Sequence, residues 1–259
     1  MIDIHAHVLP ALDDGPATYA EALQMCRRAE AETVTAIVAT PHMCDDLFDV
    51  LSADALQATE ILQRLCRADG LSLAILPGAD VRLHPELPEK IEARQALTLG
   101  DAGRYVLLEL PEQIAPMQTI AFLERLVATG PTPVISHPER NLSFLNRPDM
   151  LRDFVEAGCL VQATAASFLG RFGRAAKTLA WRYLASGLIH VVASDAHSMD
   201  CGRFVLRACA AKIARRFGEN VSRELFVAGP GRIVSGEEPA TCPAASRVRG
   251  IAAGRSCPP

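Results

Sequence analysis

His5 and His7 form an H-x-H pair directly after the first apolar run, Met1–Ile4. The placement recurs along the chain. His42 follows the run Thr35–Ala39, in Thr40-Pro41-His42. Asp80 follows Leu71–Leu76, in Gly78-Ala79-Asp80, and Glu109 sits at the end of Tyr105–Leu110. His137 follows Pro133–Ser136, and Asp195 and His197 follow Ile189–Ala193, in Ser194-Asp195-Ala196-His197. Imidazole and carboxylate are the donors that zinc, iron and manganese accept. An H-x-H pair on an extended strand puts both rings on one face, as chelation requires. One histidine at a strand end reads as well as a cap or a satisfied core residue; a series of them does not. With Asp14, from Leu12-Asp13-Asp14-Gly15-Pro16, the candidate metal ligands are His5, His7, Asp14, His42, Asp80, Glu109, His137, Asp195 and His197. One zinc takes about four ligands, so this set with bridging carboxylates fits two or three divalent cations. Three such cations outweigh the four carboxylates, and the surplus positive charge suits a phosphate dianion. Adjacent cations also activate water and clamp the attacking and leaving oxygens of a displacement. His84 and His190 stand outside the pattern, and His190, placed before its strand, reads as structural.

These residues meet only if the ends of their strands share one rim. The apolar runs, with Leu160–Ala163 added, are mostly continuous and β-branched, as in parallel strands covered on both faces. Helical patterns lie between them, at Tyr19–Glu32, Ser52–Asp69 with Ser52 as N-cap, Gln118–Thr129, Pro148–Ala157, Gly173–Ser186 and Gly202–Phe217. In Tyr19–Glu32 the residues Ala22, Met25, Cys26 and Ala29 fall on one face at helical spacing. The alternation predicts βαβ units, and seven strands predict an α/β fold with a distorted, TIM-like β/α barrel whose C-terminal rim carries the site. Residues 1–235 are expected to form one domain. Residues 236–259, rich in Ala, Pro, Gly and Arg, are expected to be a disordered tail.

The bulk properties fit this reading. The chain has 259 residues, 49% hydrophobic and 22% charged, with a net charge of -4, which argues against disorder and against a general nucleic-acid binder. No apolar run reaches the length of a membrane span, so no membrane insertion is expected. The first residues are too polar for a secretory signal, and the eight cysteines are scattered without a C-x-x-C pair. Together these predict reduced thiols and a cytoplasmic location. Arg171, Arg174 and Arg182 read as a solvated helix face, and the lone Trp181 as core or interface.

Ile2-Asp3-Ile4-His5-Ala6-His7 resembles the opening of the polymerase-and-histidinol-phosphatase (PHP) superfamily. The segment from Val8 to Pro16, with Ala39-Thr40-Pro41-His42, Gly78-Ala79-Asp80-Val81-Arg82, His137-Pro138-Glu139-Arg140-Asn141 and Ser194-Asp195-Ala196-His197, narrows the resemblance. The chain is similar to the bacterial manganese-dependent protein-tyrosine phosphatases of the CpsB/CapC capsule and exopolysaccharide group. That resemblance implies a distorted seven-stranded PHP barrel, a trinuclear centre held by the nine residues above, and Arg140 as a phosphate ligand through its guanidinium fork. Manganese is the implied metal, with iron, zinc, cobalt and magnesium as alternatives. The implied substrate is the phosphotyrosine tail of a membrane-associated bacterial tyrosine kinase. Hydrolysis is expected through in-line attack by a metal-bridging hydroxide, without a phosphoenzyme. Two positions depart from the family pattern: Asp80 stands where Glu is usual, and Arg203, the match to a second arginine, lies one residue further along.

Four other readings compete. A metal-dependent amidohydrolase also opens with H-x-H on a barrel but often needs a strand-end Lys, and Lys90, Lys177 and Lys212 all sit in helical patterns. Cys201 to Arg207 fits C-x5-R, but Phe204-Val205-Leu206 does not make the cradle of backbone N–H groups that a cysteine phosphatase needs. A histidinol-phosphate phosphatase would share fold and metals with a smaller substrate. A catalytically weakened homologue would bind phosphotyrosine or metal without turnover.

Overall fold

In the computed structural model, which describes residues 1–198 and 204–238, the strands are β1 (Ile2–Ala6), β2 (Ala36–Ala39), β3 (His42–Met43), β4 (Ala74–Pro77), β5 (Asp80–Arg82), β6 (Tyr105–Glu109), β7 (Thr132–Ser136), β8 (Leu160–Thr164) and β9 (Val191–Ala193). All pair in parallel, in the orders β1-β2-β4 and β3-β5-β6-β7-β8-β9. The chain is an α/β protein with helices between its strands, except between β2 and β3 and between β4 and β5. β3 continues the course of β2 beyond Thr40-Pro41, and β5 that of β4 beyond Gly78-Ala79. Gly78 lets the chain pass close at that break, because a Cβ there would lie 2.5 Å from Val38 Cγ1. The hydrogen bonding returns to its start beyond β9. The Asp195 N–H donates to the His5 carbonyl and the His7 N–H to the Ala196 carbonyl, each at 2.8 Å. The first and last strands therefore meet at the site residues themselves.

Two apolar layers hold this arrangement. An inner cluster under the rim contains Ile4, Val38, Tyr105, Leu107, Val134 and Val191. An outer one, between strands and helices, contains Met25, Leu62, Leu123, Phe154, Leu184 and Ile213. Burying each such large side chain contributes about 1.5–3 kcal/mol. β1 supplies both layers and the site through an irregularity. Asp3 pairs with Ile37 and Ala6 with Ala39, so three steps on β1 oppose two on β2. The extra residue resets the in-out alternation, as a bulge beside an active site does. Ile4 thus stays with the inner cluster, Ala6 joins the outer one, and His5 and His7 both reach the rim.

Most expected elements are present with ends shifted by a few residues, as at Tyr19–Ala31, Pro116–Thr129, Met150–Glu156, Gly173–Ala185 and Leu206–Phe217. In the helix Ser52–Ala68 the N-cap is Leu51, so Ser52 lies inside the first turn and caps nothing. Thr18 caps the helix Tyr19–Ala31 instead, its side chain accepting the Glu21 N–H. The expected tail begins with fixed residues: Tyr105 Oη donates to the Glu237 carbonyl at 2.6 Å, and Arg104 to the Gly236 carbonyl at 3.1 Å. Arg203, Cys201 and the rest of the expected tail lie outside the described residues. Among the described residues no helix is long and apolar enough to cross a membrane.

Candidate metal centre

The rim gathers all nine expected donors. Four overlapping groups have ligand atoms within 4.8 Å of one another: His7, Asp14, His42 and His197; His5, His7 and Asp80; His5, His137 and Asp195; His42, Asp80 and Glu109. His5, His7, Asp80 and Asp195 are buried, and the other five reach the surface. Every donor belongs to a strand end or to the loop that follows it, which is why the topology brings them together.

The partners of His5, in β1, and of His7, just beyond it, fix which ring nitrogen faces the centre. His5 Nδ1 lies 3.0 Å from Gln162 Oε1. That oxygen also accepts the His137 N–H, so it serves as an acceptor and His5 carries its proton on Nδ1. His7 Nδ1 donates to Asp13 Oδ2 at 2.6 Å. Both Nε2 atoms are then bare lone pairs, and they face each other across 3.2 Å. Two acceptors at that separation with no proton between them are stable around a shared cation.

The carboxylates give the same result. Asp80 is buried and neither of its oxygens has a hydrogen-bond partner. Its Oδ2 lies 3.5 Å from His5 Nε2 and 3.8 Å from His42 Nδ1, and it belongs to two of the four groups. Its shorter side chain still reaches a position shared between donor sets. Burial, with Glu109 and Asp195 adding, pushes its carboxyl well above the usual range. Asp195 shows the reverse balance. Burial alone raises it, but the positive charge beside it, permanently that of the paired Arg140, holds it well below the usual range. Burial lowers His5 to about 4 and drives His7 and His137 well down, so these imidazoles are neutral and available as ligands. An orphaned buried carboxylate among neutral imidazoles fits a cluster of divalent cations.

Backbone geometry aims the loop donors. His137 and Asp195 take positive φ angles of 32° and 54°, a region that costs a non-glycine residue of order 1–3 kcal/mol and clusters at functional sites. Arg140 sits in the short 3-10 turn Pro138–Arg140 after β7. Its guanidinium pairs with Asp195 and lies 4.2 Å from the Phe172 ring centre. The expected phosphate ligand is thus at the edge of the donor cluster, steadied on an aromatic face.

Several supporting residues escaped the sequence reading. Asp13 links His7 to the His42 N–H, and Gln162 links His5 to His137. Glu139 is buried and accepts from the Thr164 N–H and Ser167 Oγ, which ties the loop after β7 to β8. Arg82 pairs with Glu109 at 3.2 Å and with Asp45 at 3.5 Å. Gln162 had a signal, since it is the one amide in an otherwise apolar strand. Asp13 had only its place beside Asp14. His190, expected to be structural, accepts the Val161 N–H on Nδ1, away from the donors.

The family model for capsular polysaccharide synthesis, CpsB/CapC, matches residues 1–235. The chain belongs to the CpsB/CapC family. It is 34% identical over 221 residues to the tyrosine-protein phosphatase YwqE of Bacillus subtilis (strain 168), covering 85% of this chain and 87% of that protein. It is 31% identical over 243 residues to the tyrosine-protein phosphatase CpsB of Streptococcus pneumoniae, covering 90% and 98%. A crystal structure from a description of YwqE and CpsB as unique metal-dependent tyrosine phosphatases superposes with a TM-score of 0.88 at 32% identity, covering 93% of this chain and 96% of that one. A β-aspartyl dipeptidase from Fervidobacterium islandicum shares the fold alone, at a TM-score of 0.52 and 15% identity.

Proposed function

We propose that this CpsB/CapC family member is a metal-dependent protein-tyrosine phosphatase. Its substrate in this reading is phosphotyrosine on a membrane-associated bacterial tyrosine kinase that governs capsular or exopolysaccharide synthesis, reached from the cytoplasm. One observation carries the reading: nine imidazole and carboxylate donors converge on one rim with Arg140 beside them. His5, His7, Asp14, His42, Asp80, Glu109, His137, Asp195 and His197 would hold two or three divalent cations, with manganese as the first candidate. Bound there, such cations supply activated water and neutralise phosphate charge.

The chain's own residues do the rest. Gln162 and Asp13 keep the Nε2 lone pairs of His5 and His7 aimed at the centre. Arg140 would turn its fork from Asp195 to the phosphate oxygens and bind them in a bidentate way. Phe172 keeps that guanidinium in place as it shifts. Phenolate leaves readily, because its conjugate acid has a pKa near 10, so the site does not need a strong general acid. Arg203 is proposed as a second phosphate ligand on the resemblance alone. Residues 1–235 are proposed as the catalytic domain.

The test is phosphate release from a phosphotyrosine peptide by metal-stripped protein, repeated after adding manganese. Activity should vanish on stripping and return with the metal. Activity indifferent to thorough stripping would overturn the reading and direct attention to Cys201. Turnover of histidinol phosphate with none of the peptide would move the substrate to the small-molecule branch.

A further inference from the structure

The helices Gly173–Ala185 and Leu206–Phe217 together hold seven of the chain's 26 basic residues and none of its 30 acidic ones. Arg171, Arg174 and Arg182, in and beside the first helix, read as a solvated face. Four other cations are arranged differently. Lys177, Lys212, Arg215 and Arg216 line one cleft of about 600 Å³ around Trp181. Lys177 lies four residues before Trp181, and Lys212, Arg215 and Arg216 share one stripe of their helix. The Arg216 guanidinium lies 4.9 Å and Lys212 Nζ 5.7 Å from the indole centre. None of the four cations forms an ion pair among the described residues. Like charges gathered without counter-charge in a protein of net charge -4 call for an anionic partner.

We propose that this cleft docks an acidic segment of the peptide substrate, at a distance from the phosphotyrosine itself. The inference rests on the phosphotyrosyl-peptide reading above. Phe172, which touches Arg140 at the metal rim, is the residue just before the helix Gly173–Ala185. Trp181 lies nine residues on, or roughly 13 Å along the helix at 1.5 Å per residue. An extended peptide covers that distance in roughly four residues at 3.3–3.6 Å each. A phosphotyrosine at the rim would therefore place acidic side chains roughly four to six positions away over the cleft. Carboxylates meet the four cations, and the indole gives their stems an apolar wall.

A peptide fits the cleft better than the alternatives do. Trp181 is held in place, its Nε1–H donating to the Phe168 carbonyl at 3.1 Å and its ring lying parallel to Phe217. It therefore walls a groove and does not project as a membrane anchor would. The exposed large apolar residues Leu47, Leu51, Met117, Leu142 and Val227 all lie elsewhere. Residues 239–259 carry Arg247, Arg249 and Arg255 and no acid, so that segment has the wrong charge to fill the cleft.

Trp181 is the chain's single tryptophan, so its emission reports on the cleft without any catalysis. Titration of the full chain with an unphosphorylated Glu-rich peptide should change that emission saturably. The change should weaken with salt and disappear in the exposed-surface double variant Arg215→Glu/Arg216→Glu. In turnover by metal-loaded protein, a phosphotyrosine peptide with Glu at positions four to six from the phosphotyrosine should show a KM about tenfold below its Gln-substituted counterpart. The double variant should erase that preference and keep p-nitrophenyl phosphate turnover within about twofold of the native rate. No emission change, a preference that survives the double variant, or an equal loss on p-nitrophenyl phosphate would each overturn the proposal. An emission change with phosphatidylglycerol vesicles but not with peptide would assign the cleft to membranes. A concentration-dependent change without peptide would assign it to a second copy. Absence of phosphate release from every substrate would defeat the phosphatase reading, while the emission titration would still decide the cleft.

Discussion

The donor cluster has a dry half and a wet half. His5, His7, Asp80 and Asp195 are sealed between the strands, with exposures of 2% or less, whereas the Asp14 side chain is 55% exposed and His42, Glu109, His137 and His197 also reach the surface. Water can solvate the outer donors when no cation is bound. It cannot reach the inner ones, whose lone pairs confront each other and whose Asp80 oxygens have no partner. In the proposed metal centre the inner half is therefore expected to hold its cations permanently, and the outer half to exchange one where the substrate would enter. Burying unpaired polar groups is costly, so the inner half is also where metal contributes most to stability.

Four experiments press on that contrast. Replacing His7 by Ala removes a donor from two groups and should lower phosphate release roughly 1000-fold, the equivalent of several kcal/mol of transition-state stabilisation. Added metal should not restore it. Asp80→Asn should part activity from stability: the loaded enzyme loses activity, while the chelated protein melts no lower than the native chelated form, because Asn keeps the shape and removes a carboxyl whose charge burial already disfavours. A lower melting temperature in the chelated variant would break the contrast. Gln162→Leu leaves every ligand in place but frees the His5 ring, and should cost roughly 10- to 100-fold in metal affinity or activity, as orienting partners of ligands do. Asp14→Asn, in the wet half, should have the smallest catalytic effect, about tenfold at limiting manganese and recovered at excess metal. A loss that excess manganese leaves unchanged would show that the outer half holds its cation as permanently as the inner.

A control lies outside both halves. Burial holds His190 at about 4, below the ordinary value near 6.5. The unfolded chain therefore binds the extra proton first, and stability falls as pH drops from about 6.5 to about 4. In urea melts of chelated protein, His190→Gln should reduce that decline by about 2–3 kcal/mol. An unchanged decline would trace the acid sensitivity to the metal rim.

Eight of the nine candidate donors were legible because each follows or ends an apolar run; Asp14 was read from the segment Leu12 to Pro16 instead. A histidine after an apolar run is visible without knowing what lies opposite it. What the aiming residues do was not legible: Gln162 stands out in its strand, but its partner His5 lies 157 positions away, and Asp13 had only its place beside Asp14. The short strands β3 and β5, of two and three residues, fall below the length at which alternation can be read. The bulge in β1 was equally silent, since it exists only as a mismatch of count between two strands. Without it, strict alternation would put His5 on the face opposite Ile4. The left-handed backbone at His137 and Asp195 had no signal, because neither residue is glycine.

The seam between the first and last strands also sets a timetable. The site joins His5 and His7, made among the first residues, to Asp195 and His197, made after the last strand. At roughly 5–20 residues per second, a ribosome needs roughly 10–40 s to travel between them. Through that interval the early histidines are ordinary side chains on an unfinished polypeptide. The nascent protein is thus born inert, and its hydrolytic power arrives in a single closing event when its first strand is sewn to its last.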